Sequence, residues 1–175
     1  MSSYNEGKVE VRDFLRSSFE WGSTVLDVGA CDGKWATLLK GNGRTDNHIN
    51  HFIFDAVEVF EPNIIAHKLD WKYRRVFHAD IRELSYTYYD LIIFGDVLEH
   101  MSVEDSQNVV EYARDHASMI LIAVPFLCKQ DMIYDNPYEI HVQDDLTHEI
   151  VMERFPGFVP LWVNERYGYY YWKET

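Results

Sequence analysis

Apolar residues fall along this chain in short runs set between stretches of mixed polarity, a pattern that predicts strands alternating with helices. Strands are expected at about Thr24 to Gly29, Phe52 to Val59, Arg74 to Ala79, Tyr89 to Gly95 and Ser118 to Val124. Tyr89 to Gly95 is apolar nearly throughout, as in a strand buried on both faces. Helices are expected at Lys34 to Lys40, stopped by Gly41-Asn42-Gly43 before a polar loop over Arg44 to Asn50. A second starts at Pro62 and carries Ile64, Ile65, Lys68 and Leu69. A third follows the capping-box-like Ser102-Val-Glu-Asp105 and runs to about His116. Ahead of the first strand, Tyr4 to Ser18 mixes charge with Val9, Val11, Phe14 and Leu15, an amphipathic helix within an N-terminal segment 1–20. Pro125 ends the fifth strand. A polar-aromatic loop over 126–143, a helix at about Asp145 to Phe155, and an antiparallel pair at Val159–Asn164 and Tyr169–Trp172 complete the chain.

Such an order implies an α/β fold with a doubly wound, mostly parallel sheet and right-handed crossovers. Ligands of these sheets bind outside the carboxyl ends of the strands, so the residues that close each run gain interest. Asp27, Gly29, Cys31 and Gly33 lie in or after the first run. Its glycines suit a turn that lets a ligand lie against bare backbone, with the N–H groups of the next helix facing it. A nucleotide-like cofactor is the expectation. Glu58 closes the second run, where a carboxylate can accept hydrogen bonds from both hydroxyls of a ribose. Asp80 closes the third and could hold an adenine amino group while Ile81 packs on the ring.

At 175 residues, 47% hydrophobic and 15% aromatic, the chain fits a single domain over 1–175 with a sizeable core. Its formal net charge of −13 argues against nucleic acid as a general partner, since such binding needs a basic footprint. No apolar run approaches the roughly 20 residues of a membrane span. Two cysteines and no signal-like apolar start make the cytoplasm the expected compartment.

Four segments in order resemble the class I S-adenosylmethionine-dependent methyltransferases, particularly their small-molecule and quinone-type branch. These are Val-Leu-Asp-Val-Gly-Ala-Cys-Asp-Gly33, Ala-Val-Glu58, His-Ala-Asp80 and Tyr-Asp-Leu-Ile-Ile-Phe-Gly-Asp-Val-Leu-Glu-His100. Ala-Val-Pro125 resembles the end of that family's fifth strand, and the closing pair its antiparallel seventh. The resemblance implies a Rossmann-like seven-stranded sheet and S-adenosyl-L-methionine as cofactor. By position, Asp27, Gly29, Cys31 and Gly33 would hold the methionine part, Glu58 the ribose, Asp80 and Ile81 the adenine. Asp96 would line the sulfonium. Cys31 departs from the usual middle glycine of the turn.

On the acceptor side His100 and His141 are the candidate catalytic bases, needed only if the acceptor must lose a proton. Asp96, Glu99, His100 and His141 form an alternative divalent-cation set, resembling metal-using quinone and small-RNA methyltransferases whose first acid is normally Glu. The main expectation carries no metal. Of the C-terminal aromatics, Tyr134 and Tyr138 in the 126–143 loop are the pocket candidates, and Trp162, Tyr167 and Tyr169–Trp172 read as strand and core. The function expected is methyl transfer to a small acceptor, in a site that a partner protein or a second copy could complete. The alternatives are a catalytically silent cofactor-binding subunit and a metal-assisted RNA-end 2′-O-methyltransferase.

Overall fold

The computed structural model describes residues 6–40 and 52–174. The expected Gly41–Gly43 stop, the polar loop after it and the Tyr4 end of the first helix lie outside those residues. The elements run α1 (Lys8–Ser18), β1 (Ser23–Val28), α2 (Lys34–Lys40), β2 (Phe52–Glu58), α3 (Glu61–Ala66), α4 (Leu69–Lys72), β3 (Arg75–His78) and β4 (Tyr89–Gly95). They continue through α5 (Val103–Arg114), β5 (Ala117–Pro125), α6 (His148–Arg154), β6 (Val159–Val163) and β7 (Tyr167–Lys173).

All seven strands form one sheet in the order β3-β2-β1-β4-β5-β7-β6. The first five pair in parallel, while β7 runs antiparallel to both β5 and β6. This is the doubly wound arrangement expected, with its order reversing between β1 and β4. Strand alternation divides the core. Leu26, Val28, Ile92 and Phe94 face α5 and α6, while Val25, Leu91 and Ile93 face α1 and α2. Tyr169 and Tyr170 are fully buried on opposite faces, as aromatic strand residues with period two must be. No helix of the described residues is long and apolar enough to cross a membrane.

Two expected helices are corrected. The segment after Pro62 is two short helices, because Lys68 takes a left-handed φ of +51° that stops one and starts the next. The last helix begins at His148 instead of Asp145, since the Thr147 side chain accepts from Ile150 N and caps it there. Ser102 caps α5 as expected, accepting from Asp105 N at 3.0 Å.

Candidate active site at the carboxyl ends of the strands

The turn after β1 is held by its neighbours. Gly29 N and Ala30 N donate to Val57 O at 2.9 and 3.2 Å, tying it to β2. Gly29 has φ +67°, and a Cβ there would come 2.4 Å from Val97 Cγ2, so only glycine fits. Cys31 takes φ +46°, a left-handed conformation that favours glycine. Glu58 offsets that strain, since its Oε2 accepts Cys31 N at 2.8 Å and its Oε1 accepts Phe60 N at 2.9 Å. Burial nevertheless raises the Glu58 carboxyl above its usual value. The N–H groups expected to face a ligand are partly committed inside the turn. Gly33 N donates to Ala30 O, and Lys34 N to Asp32 Oδ1.

One cavity of about 360 Å³ opens at this edge of the sheet. It is bordered by Gly29, Cys31, Glu58, Asp80, Ile81, Asp96, Glu99, His100 and His141. Asp27 and Gly33 do not border it. Asp27 is fully buried in β1, where its Oδ2 accepts the Tyr73 hydroxyl at 2.5 Å. A Cβ on Gly33 would meet Lys72 Cδ at 2.8 Å, so that glycine serves packing behind the turn. Arg82 holds both oxygens of Asp80, which lowers the Asp80 carboxyl. Ile81 is buried at the cavity wall.

Asp96 follows β4 with φ +58°, and its N donates to Ala123 O at 2.9 Å. Its Oδ1 accepts the hydroxyl of Tyr167, a buried residue that also borders the cavity. Sequence reasoning assigned Tyr167 to the core. Its position at the site depends on the β5–β7 pairing, for which no local signal exists.

Beyond Asp96, a single turn over Leu98–His100 carries Glu99 and His100. Gln143 pins this turn, donating to Leu98 O at 2.8 Å. Glu99 is 1% exposed, and neither carboxylate oxygen has a hydrogen-bond partner among the described residues. Burial, and then the charge of Asp96, push its carboxyl well above the usual range. The His100 and His141 rings lie 4.8 Å apart. Nδ1 of His100 lies 3.2 Å from Ile140 O, and Nδ1 of His141 lies 2.7 Å from Cys128 O. A carbonyl oxygen only accepts, so each Nδ1 carries a proton. Burial, with His141 alongside, pushes His100 down to about 4, leaving it neutral at pH 7.

The 126–143 loop brings His141 here by folding back on itself. His141 N donates to Gln130 O, and a tight turn over Ile133–Asn136 closes the loop's tip, with Tyr134 and Asp135 both at φ +53°. Tyr138 borders the cavity, whereas Tyr134 stands at that tip, 89% exposed and away from it.

No protein-family model matches the chain, and no curated protein does. Solved structures match its fold over nearly its whole length. The N-terminal domain of EvdMO1 with SAH bound is 11% identical, with TM-score 0.69, covering 98% of this chain and 82% of that one. A S-adenosylmethionine-dependent methyltransferase from Clostridium acetobutylicum is 12% identical, with TM-score 0.68, covering 98% and 93%. A 1,6-didemethyltoxoflavin-N1-methyltransferase from Burkholderia thailandensis, solved with its acceptor and S-adenosylhomocysteine, is 17% identical, with TM-score 0.66, covering 97% and 79%. At such identities the likeness establishes the fold: this chain has the Rossmann-like, seven-stranded architecture of solved S-adenosylmethionine-dependent methyltransferases.

Proposed function

We propose that this chain is an S-adenosylmethionine-dependent methyltransferase acting on a small acceptor. One observation carries the reading. The glycine turn, Glu58, Asp80-Ile81 and Asp96 come from four separate strand ends, yet border a single cavity on that fold. When bound, the cofactor supplies an electrophilic methyl on a sulfonium.

The backbone around Gly29 and Cys31 would take the methionine part, with Asp27 and Gly33 shaping that turn from behind. Glu58 already accepts Cys31 N, Phe60 N and the Asn63 side chain, and would turn its remaining acceptor capacity to the ribose hydroxyls. Ile81 would pack on the adenine. Asp80 would bind the adenine amino group in competition with Arg82. An acceptor would occupy the part of the cavity bordered by Tyr138, His100 and His141. Methyl transfer is an in-line displacement, so holding the acceptor in line supplies much of the rate. His100, neutral at pH 7, or His141 would take a proton from an acceptor that must lose one.

A second reading, metal-assisted transfer, is favoured by the carboxylate of Glu99. One ligand atom from each of Glu99, His100 and His141 lies within 4.8 Å of the others, and the Glu99 oxygens have no hydrogen-bond partner among the described residues. Two imidazoles with one carboxylate suit a divalent transition metal. Asp96 stands outside that group.

The test is formation of S-adenosylhomocysteine from S-adenosylmethionine across a panel of small hydroxyl and amine acceptors. Turnover that one acceptor stimulates is the expected result. Cofactor binding without turnover on any acceptor would favour a silent subunit instead. Turnover unchanged by EDTA would remove the metal.

A further inference from the structure

The side-chain acceptors that border the cavity are matched unevenly. Glu58 and Asp80 close β2 and β3, on one side of β1, where backbone N–H groups meet the first and Arg82 the second. Glu99 follows β4, on the other side of β1. There the 126–143 loop is tied to it by its backbone. His141 N donates to Gln130 O at 3.0 Å, and the next two N–H groups, of Val142 and Gln143, donate to Glu99 O at 2.8 and 3.0 Å. Glu99 and Gln130 are thus both bound to one three-residue stretch of chain.

Both residues border the cavity, and three of their buried atoms, Glu99 Oε1 and Oε2 and Gln130 Oε1, have no hydrogen-bond partner among the described residues. The Gln130 amide is oriented from its other end, since Nε2 donates to Glu139 O at 2.7 Å and to Glu139 Oε2 at 3.2 Å. Buried acceptors without donors are costly, and three in one neighbourhood call for a ligand that brings donors. Charge points the same way. Asp96 and Glu139 both oppose ionisation of the Glu99 carboxyl, and an adjoining cation counters them. Arg82 is committed to Asp80 and Asp105 on the far side of β1. Met101 and Tyr138 also border the cavity, a wall that suits an organic cation better than a bare ion. A protonated amine answers each demand, with one positive charge and up to three N–H donors.

We infer that Glu99 and Gln130 bind a protonated amine, so that the methyl acceptor is a small molecule carrying an ammonium group and, on a different atom, the nucleophile. The cation site stands without the cofactor reading above; that its occupant is the acceptor rests on that reading. An ammonium nitrogen has no lone pair and cannot itself take the methyl. A hydroxyl or unprotonated amine elsewhere on the molecule attacks instead. Its lone pair forms the new bond to the methyl carbon, the C–S bond breaks with its electrons staying on sulfur, and the surplus proton passes to water or to His100. Glu99 would then select the acceptor by charge. A divalent metal would take the same carboxylate, so the two occupants compete for it.

The test is calorimetric titration of two amines, tyramine and butylamine, beside their neutral counterparts 4-propylphenol and butanol. Each is added to the wild-type chain, Glu99→Gln and Gln130→Met, with S-adenosylhomocysteine and EDTA present. The wild type is expected to bind each amine about tenfold tighter than its counterpart. Glu99→Gln should abolish that preference by weakening the amines about tenfold, leaving the neutral compounds within about twofold. Gln130→Met should lower the preference by a smaller factor. Binding by neither amine, equal binding of amine and counterpart, or an unchanged preference in Glu99→Gln overturns the inference, while S-adenosylhomocysteine binding still upholds the cofactor reading. Amine binding that requires Mn²⁺ in place of EDTA assigns Glu99 to the metal and overturns it as well. If the wild type does not bind S-adenosylhomocysteine, the cofactor reading fails, and an amine preference lost in Glu99→Gln still upholds the cation site.

Discussion

Replacing Asp27 with Asn should flatten the dependence of folding stability on pH between about 4 and 7. Asp27 lies in the middle of the sheet with no solvent exposure. Its Oδ1 has no partner among the described residues. Burial pushes its carboxyl up to about 7, against the lowering effect of the Tyr73 hydroxyl and with help from the charges of Asp32 and Glu58. The sign follows from proton binding. Between the usual 3.8 and about 7 the folded chain keeps a proton that the unfolded chain has lost. Stability from this group is therefore fully present below about pH 4 and is lost as pH rises through about 7. The rise from 3.8 to about 7 corresponds to roughly 4 kcal/mol. Asn has no such proton to lose, yet its carbonyl can still accept the Tyr73 hydroxyl. Urea denaturation of both proteins from about pH 4.5 to 8 measures the difference. The Asn variant should gain on the wild type by a few kcal/mol across this window and then hold that gain. Two parallel curves would refute the reasoning, because they would mean that Asp27 titrates alike in both states.

Two other sites give sharp expectations. Asp55 is fully buried, and Arg74 holds both its oxygens at 2.9 and 2.6 Å while Tyr89 donates to one of them. Arg74→Ala would leave a buried carboxylate short of its cation and should cost about 3 kcal/mol, read from the denaturant midpoint; a cost near zero would contradict the pairing. Gly95→Ala would drive a methyl into the Trp35 indole, which is buried at 7% exposure. It should lower stability by about 1–3 kcal/mol and shift tryptophan emission, whereas an unchanged spectrum and midpoint would contradict the close approach.

The legible parts of this chain were those whose signals are local. The β4 run, buried on both faces, reads directly from Tyr89 to Gly95, and the Ser102 cap from its own hydroxyl. Glu58 and Asp80 stood out because a polar residue ending an apolar run is brought to the ligand edge by any parallel sheet, and Asp96 through the resemblance of its segment. Features set by tertiary pairing were illegible. Tyr167 reads as one aromatic among several until β7 is paired against β5. Lys68 and Cys31 take left-handed backbones that their residue types do not announce, so the break between α3 and α4 has no sequence signature. Tyr134 and Tyr138 look equivalent in the loop, and only the turn over Ile133–Asn136 separates the exposed tip from the cavity wall. Asp27 belongs to the opening motif, but alternation along β1 turns its side chain into the core toward Tyr73.

The cofactor site is the central claim, and calorimetric titration of S-adenosylhomocysteine into the wild-type chain and into Glu58→Ala tests it most directly. Micromolar binding by the wild type, lost or greatly weakened in Glu58→Ala, is the predicted result. No binding by the wild type, or equal affinity in the two proteins, would contradict it.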